Sequence, residues 1–270
     1  MKISFADVAK ADIVAFIVDE GDGLPTTAAG LDKASGGLLT EALTGARFDG
    51  KKDQQALIVL PKGGESRRAV LIGGGKAKKR DARILESIGA NLVKSQAKSG
   101  FKSLAVHVGS AEDAARVALG AQLAAYRFDS YFTKMKPDQK PSLTSVTLVV
   151  DDAKAAKAAF VPLEAAGEGT NLARDLVNMP PNDLYPASFA AKLKDLSEFG
   201  VEVEILGEAA MKKLGMNALL GVGQGSRKES QLGVMKWNGG KPGEDPVILV
   251  GKGVCFDTGG VSLKPGPGME

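Results

Sequence analysis

The sequence predicts a mixed α/β fold: a mainly parallel α/β domain at the amino terminus, a linker helix, and the first part of a second α/β domain. Short runs of β-branched residues alternate with alanine-rich segments through the first 150 residues, a pattern typical of a parallel sheet covered by helices. Glycine accounts for 34 of the 270 residues and aromatic residues for only 5%. This composition favours many tight turns over an aromatic-rich sandwich.

Apolar runs bounded by turn residues predict the strands of the first domain. They cover residues 12–18, 56–60, 68–72, 103–108 and 145–150. Apolar side chains at helical spacing predict two helices, one through Ile84, Ile88 and Leu92 and one through Ala114, Val117, Ala121 and Ala124. Asp81 and Glu112 lie near the two helix starts, where a negative charge complements the helix dipole. Residues 133–144, with two prolines, are predicted as an exposed loop.

A boundary is predicted after residue 150. Asp151 and Asp152 suit the start of one helix, and Pro162 suits the first turn of a second helix that runs to Val177. The predicted division is therefore residues 1–150, a helical linker over 151–178, and a second domain over 179–270. The second domain is predicted to contain helices over 186–199 and 208–214, and strands over 201–206, 219–222, 231–237 and 246–250. Because the sequence stops just after a strand whose carboxyl end should carry a site, this domain is predicted to be incomplete.

Charge and composition narrow the classes of function. Lys and Arg number 35 against 32 for Asp and Glu, a net charge of +3, so nothing indicates nucleic acid or an anionic membrane as a partner. The apolar runs are far shorter than the roughly 18 residues that span a bilayer, and the first twenty residues lack a signal-peptide core. The sequence thus predicts a cytoplasmic protein. A single cysteine, Cys255, and a single histidine, His107, exclude CxxC sites and zinc sites with several histidines.

Several conspicuous residues have ordinary interpretations. The glycines of segment 73–76 follow a strand, but they match neither nucleotide-binding glycine motif, so a glycine turn is favoured over a phosphate site. Gly221, Gly223 and Gly225 raise the same question, and they are interpreted as a strand that enters a tight loop rather than as a nucleotide site. His107 is interpreted as a core or surface histidine, and Cys255 as a small apolar filler. A phosphate- or nucleotide-binding protein that uses residues 73–76 stays a weaker alternative.

The segment 250–265, VGKGVCFDTGGVSLKP, differs from these residues because it combines several side chains that could carry chemistry. It places Lys252, Asp257 and Lys264 among closely spaced glycines directly after a predicted strand. Glycines let the backbone turn sharply and approach a ligand, and an aspartate between two lysines suits a metal ion together with a polarised oxygen. The spacing alone fits a solvated, glycine-rich surface loop equally well.

These residues resemble a known family. VGKGVCFDTGGVSLKPG resembles the signature of the cytosolic leucyl aminopeptidases, which are two-metal enzymes, and NLARDLVNMPPN at 171–182 is similar to that family's linker. The segment LLGVGQGS, followed by VMKW, also resembles sequences of that family. The resemblance covers roughly residues 170–270, whereas the first 150 residues are similar only in topology.

The resemblance implies a set of roles. Lys252 would bind metal through a neutral amine, Asp257 would bridge two metal ions, and a protonated Lys264 would stabilise the oxyanion. It further implies two divalent ions (Mn²⁺ or Zn²⁺), peptide substrates with a free amino terminus, a cytosolic location and a homohexamer.

One departure from the family concerns the rest of its site. The family's other carboxylate ligands and its catalytic arginine come later than Glu270, the last residue of this sequence. We therefore expect residues 1–270 alone to be inactive and the parent protein to be longer. A non-catalytic binding or regulatory protein that retains the amino-terminal domain is the alternative.

Overall fold

The computed structural model describes residues 1–45, 47–61, 64, 66–267 and 269. The chain divides into two compact units, Met1–Asp175 and Leu176–Glu270. The first unit therefore includes most of the segment predicted as a linker. No helix of the described residues is long and apolar enough to cross a membrane.

A six-stranded sheet organises the first unit. Its order is β1-β6-β5-β2-β4-β3, and every neighbouring pair is parallel except β3 with β4. The strands are β1 Lys2–Ala6, β2 Ile13–Asp19, β3 Gln55–Val59, β4 Arg68–Gly75, β5 Ser103–His107 and β6 Ser145–Val149. The mainly parallel α/β prediction is confirmed, and all five predicted strands form. The sequence reasoning missed β1, because this half-buried edge strand has no continuous apolar run.

Helices cover both faces of this sheet. They are α1 Ala29–Ala34, α2 Leu38–Gly45, α3 Ala82–Gln96, α4 Ala111–Ala124 and α5 Ala153–Asn178. Leu85, Leu92 and Val117 of α3 and α4 are buried in one core cluster, and Leu39 of α2 is buried in the other. The two predicted helices start beside the predicted acidic residues. Asp81 caps α3, since its Oδ1 accepts from Ile84 N at 2.9 Å, and Glu112 lies in the first turn of α4. The cap of α4 itself, Ser110, was not predicted; its Oγ accepts from Asp113 N at 3.1 Å.

The prediction that Pro162 begins a new helix is wrong, because α5 continues through it. Asp152 caps the start of α5, since its Oδ1 accepts from Ala155 N at 2.8 Å. Proline removes one helical hydrogen bond, but the carbonyl it orphans belongs to Ala158, which is exposed to water. Burial of Ala156 and Phe160 against the sheet stabilises the helix beside this break.

The last turns of α5 are fixed on the first unit by polar contacts. Arg174 donates from Nη1 to the carbonyl of Leu123 at 2.8 Å, which satisfies an orphan carbonyl at the end of α4. Tyr126 donates its hydroxyl to Asp175 Oδ1 at 2.8 Å, and the Arg174 guanidinium lies 5.4 Å from the Tyr126 ring centroid. Two residues of the motif NLARD thus anchor this helix end.

The described residues of the second unit form a two-stranded antiparallel sheet and short α-helices. The strands are β7 Glu202–Leu206 and β8 Leu232–Lys236, and the helices are α6 Pro186–Asp195, α7 Glu208–Lys213 and α8 Asn217–Gly223. The strand predicted over 219–222 is wrong, since these residues and both Gly221 and Gly223 lie in α8. The strand predicted over 246–250 is also wrong, because Val247–Val250 are irregular and 78–95% exposed. A buried strand needs neighbouring strands, and β7 and β8 pair with each other.

Asp12 connects the starts of β2 and β5. Its Oδ2 accepts hydrogen bonds from Lys102 N, Ser103 N and Ser103 Oγ at 3.0, 3.1 and 2.8 Å. The Ser103 hydroxyl is the main cause that lowers the pKa of Asp12. Because this pKa is lowered on folding, the ionised carboxylate stabilises the fold above about pH 4, its unfolded pKa, and that contribution is lost as the pH falls through the folded pKa.

We expect Asp12→Asn to lower the free energy of unfolding by about 1–2 kcal/mol at pH 7, the cost of weakening hydrogen bonds to a charged acceptor. Urea unfolding at pH 7 and pH 3 measures the effect, and the difference between wild type and variant should shrink at pH 3. Asp7→Asn is the matched control, since Asp7 is exposed. An equal loss at both pH values would contradict a role for the charge.

Candidate functional site

The segment predicted to carry chemistry is an irregular loop of the second unit. Lys264 Nζ lies 3.3 Å from Asp257 Oδ2 and donates to the Asp257 carbonyl oxygen at 3.1 Å. Lys264 N also donates to the carbonyl of Thr258 at 2.8 Å. The loop from Asp257 to Lys264 therefore closes on itself and brings two of the three predicted site residues into contact.

Two glycines make this closure possible. Gly259 and Gly260 have φ of +97° and +73°, values that side chains other than glycine rarely adopt. A Cβ on Gly259 would lie 2.4 Å from the Ser262 carbonyl oxygen, so no other residue fits this turn. Gly259 N donates to Asp257 Oδ1 at 2.8 Å, which orients the carboxylate.

The electrostatics of the loop favour an ionised Asp257. Its pKa is lowered by the Gly259 N–H, then by the hydrogen bond and charge of Lys264, with a further contribution from the charge of Lys252. Lys252 is thus within electrostatic reach of the carboxylate. The Asp257 side chain is 62% exposed, so an anionic oxygen donor is available at the surface of the loop.

The donors present match part of a metal site. A carboxylate and a lysine amine are possible ligands, but protein sites hold each transition-metal ion with three or more protein ligands. Among the described residues, no group of three or more His, Cys, Asp or Glu side chains lies close enough to hold an ion. Lys252 and Asp257 therefore fit the beginning of a ligand set.

Family models cover most of the chain. The amino-terminal domain of the cytosol aminopeptidase family matches residues 13–135, and the catalytic domain of the same family matches residues 171–270. The chain belongs to the cytosol aminopeptidase family. A Caulobacter vibrioides protein named "Probable cytosol aminopeptidase" is 46% identical over 259 residues, which are 95% of this chain and 52% of that protein. The chain thus spans about half the length of the curated relatives it matches.

Solved structures agree with the family fold. The bottromycin maturation enzyme BotP in complex with Mn is 28% identical, with a TM-score of 0.71 over 95% of this chain and 51% of that chain. A variant of tomato leucine aminopeptidase has a TM-score of 0.74 at 23% identity, over 85% of this chain and 49% of that chain. The latter likeness concerns the fold alone.

One residue beside the loop was missed by sequence reasoning. A Cβ on Gly253 would lie 2.6 Å from Phe189 Cε1, so the Phe189 ring of α6 packs directly on the backbone next to Lys252. The four-residue spacing of Phe189 and Leu193 marks an apolar helix face, but it does not reveal what that face contacts. Cys255 is half-buried, and burial raises the pKa of its thiol, which fits the predicted apolar filler.

Within the part of the chain that the structure describes, His107 belongs to no cluster of possible metal ligands. It ends β5 and stacks on Phe16 of β2, with ring centroids 4.7 Å apart. Burial lowers the pKa of His107, so the ring is neutral at physiological pH. This position matches the predicted core or surface histidine.

The glycines of segment 73–76 accommodate the chain's own backbone. Gly73–Gly75 belong to β4, and a Cβ on Gly73 would lie 1.9 Å from the Lys51 carbonyl oxygen. Gly75 N donates to Gly50 O at 3.0 Å. Ligands of such sheets bind at the carboxyl ends of strands, and the loop before β3 fills that place beside β4. The structure therefore gives no support to a phosphate site at residues 73–76.

Proposed function

We propose that the protein is a metal-dependent aminopeptidase that releases amino acids from the free amino terminus of peptides. The observation that carries this proposal is the loop 252–264, which brings an ionised Asp257 into contact with the Lys264 amine and within electrostatic reach of Lys252. Membership in the cytosol aminopeptidase family supports the same activity.

Each of the three residues has a distinct role in this proposal. Lys252 and Asp257 would hold divalent ions, Mn²⁺ or Zn²⁺, and the solved structure of BotP in complex with Mn supports the first of these. When bound, the ions would supply Lewis acidity and lower the pKa of water. Lys264 would donate a hydrogen bond from Nζ to the oxyanion that develops on the scissile carbonyl. Its present contact with Asp257 keeps the ammonium beside the proposed ligands.

The described residues alone hold too few ligands for two ions. One carboxylate and one amine leave most coordination positions to water, which favours loss of the metal. We propose that further ligands lie in a segment that the longer relatives have and the present sequence lacks. The division into domains 1–150, 151–178 and 179–270, the homohexamer and the cytoplasmic location also remain proposals.

Turnover of leucine anilide tests the function. We expect the native protein, purified from its source and supplied with Mn²⁺, to hydrolyse leucine anilide, and residues 1–270 alone to show no turnover above the metal blank. The two samples are compared at equal molar concentration, with N-acetyl-leucine anilide as the control substrate that lacks a free amine. Turnover by residues 1–270 would contradict the ligand argument, whereas an inactive native protein would favour the non-catalytic alternative.

A further inference from the structure

A second candidate site lies in the first unit, independent of the loop 252–264. A cavity of about 610 Å³ opens between the carboxyl ends of α3 and α4 and the amino ends of β1 and β6. Its size falls within the range of small-molecule pockets. Ala97, Ala124 and Pro141 of its lining are apolar and only half-buried, so part of its accessible wall is apolar.

The charged groups around this cavity all have one sign. Lys2, Lys94 and Arg127 line it, and none of the described residues in its lining is acidic. Arg127 is already engaged by Asp129, to which it donates from Nε and Nη2 at 2.8 and 3.1 Å. Neither Lys2 nor Lys94 forms an ion pair within the described chain. Two ammonium groups are therefore available beside an apolar wall.

We propose that this cavity binds a small apolar molecule that carries one carboxylate. Its apolar body would cover the half-buried wall formed by Ala97, Ala124 and Pro141, because removal of apolar surface from water is the main gain in such pockets. Its carboxylate would take hydrogen bonds from the ammonium groups of Lys2 and Lys94. A medium-chain fatty acid and a short apolar peptide with a free carboxyl terminus both have this chemistry.

Calorimetric titration of the full chain tests the site and distinguishes the two sources. The probes are octanoate and N-acetyl-Leu-Leu, each compared with its amide. We expect at least one of the two acids to bind, and the corresponding amide to bind with a severalfold higher Kd. The acid with the lower Kd identifies the source of the ligand. Lys2→Gln combined with Lys94→Gln should raise the Kd by about fivefold, which corresponds to about 1 kcal/mol for the two exposed ionic contacts together.

Two further variants keep the result interpretable. Lys157→Gln removes the same charge from an exposed position on α5 and should leave the Kd unchanged. Ala125→Trp fills the cavity from its lining and should abolish binding while circular dichroism reports an intact fold. No binding at millimolar acid, equal binding of acid and amide, or unchanged binding in the Lys2 and Lys94 double variant would each overturn the proposal. None of these outcomes depends on aminopeptidase activity.

Discussion

Gly120→Ala is expected to lower the free energy of unfolding of the first unit by about 3 kcal/mol, at the upper end of the usual cost of overpacking. A Cβ on Gly120 would lie 1.8 Å from the carbonyl oxygen of Glu86, and a Cβ on Gly89 would lie 2.0 Å from the carbonyl oxygen of Val117. The two helices therefore touch backbone to backbone. A rotamer change cannot relieve the clash, so α3 and α4 must move apart and lose contacts between their buried side chains.

Thermal and urea unfolding measure this effect. A loss of 3 kcal/mol corresponds to a Tm about 10 °C lower for a unit of this size. Gly169→Ala is the matched control, because Gly169 lies in α5 with no atom within 4 Å of its added Cβ. There the higher helix propensity of alanine should stabilise the protein by up to about 1 kcal/mol. A Gly120→Ala variant as stable as Gly169→Ala would show that the close helix crossing does not exist.

The first unit was largely predictable because its elements identify themselves locally. Buried parallel strands such as β2 and β4 need apolar side chains on both faces. Their sequences are therefore short, continuous apolar runs, which predict a buried strand directly. The helix starts at Asp81 and Ser110 are likewise local, since each cap bonds an amide three residues on. The close approach at Gly89 and Gly120 was not predictable, because a glycine in a helical pattern does not identify the helix that contacts it.

Predictions failed where an apolar run had two possible structures. Residues 219–222 have a pattern that suits a short strand, yet they form part of α8, since periodicity cannot separate strand from helix in so few residues. Residues 246–250 have the composition of a buried strand, but that outcome depends on neighbouring strands rather than on the run itself. The prediction that Pro162 begins a helix failed for a related reason. The preference of proline for the first turn of a helix is a local rule, and burial of the neighbouring Phe160 outweighed it.

The contacts of the candidate site likewise fall into those that a local sequence motif could indicate and those that only the fold creates. Asp257, Gly259 and Lys264 lie within eight residues, so their contacts follow from one closed loop, and the sequence motif could indicate them together. Phe189 contacts the same loop from α6, more than sixty residues earlier in the chain. Only a folded chain brings it there, so no local pattern predicted it.

Asp257→Asn in the native-length protein, expressed from its gene, is expected to lower kcat/KM for leucine anilide by more than about a hundredfold. Asparagine keeps the size of the side chain and the acceptor for Gly259 N, but it removes the charge proposed to hold the metal ions. Loss of a residue that merely supports a metal ligand already costs about 10–100-fold, so loss of a ligand should cost more. Metal content per protomer, measured by mass spectrometry after gel filtration, should fall in parallel.

A comparison with Lys264→Met separates the two proposed roles. Loss of an oxyanion donor costs about 10²–10³ in kcat, so Lys264→Met should lose turnover while it retains the metal that Asp257→Asn loses. Asp245→Asn is the matched control, since Asp245 is exposed in the same unit and outside the loop, and it should keep both activity and metal. Full metal content in Asp257→Asn would remove Asp257 from the ligand set, and wild-type kcat in Lys264→Met would assign the oxyanion to another donor.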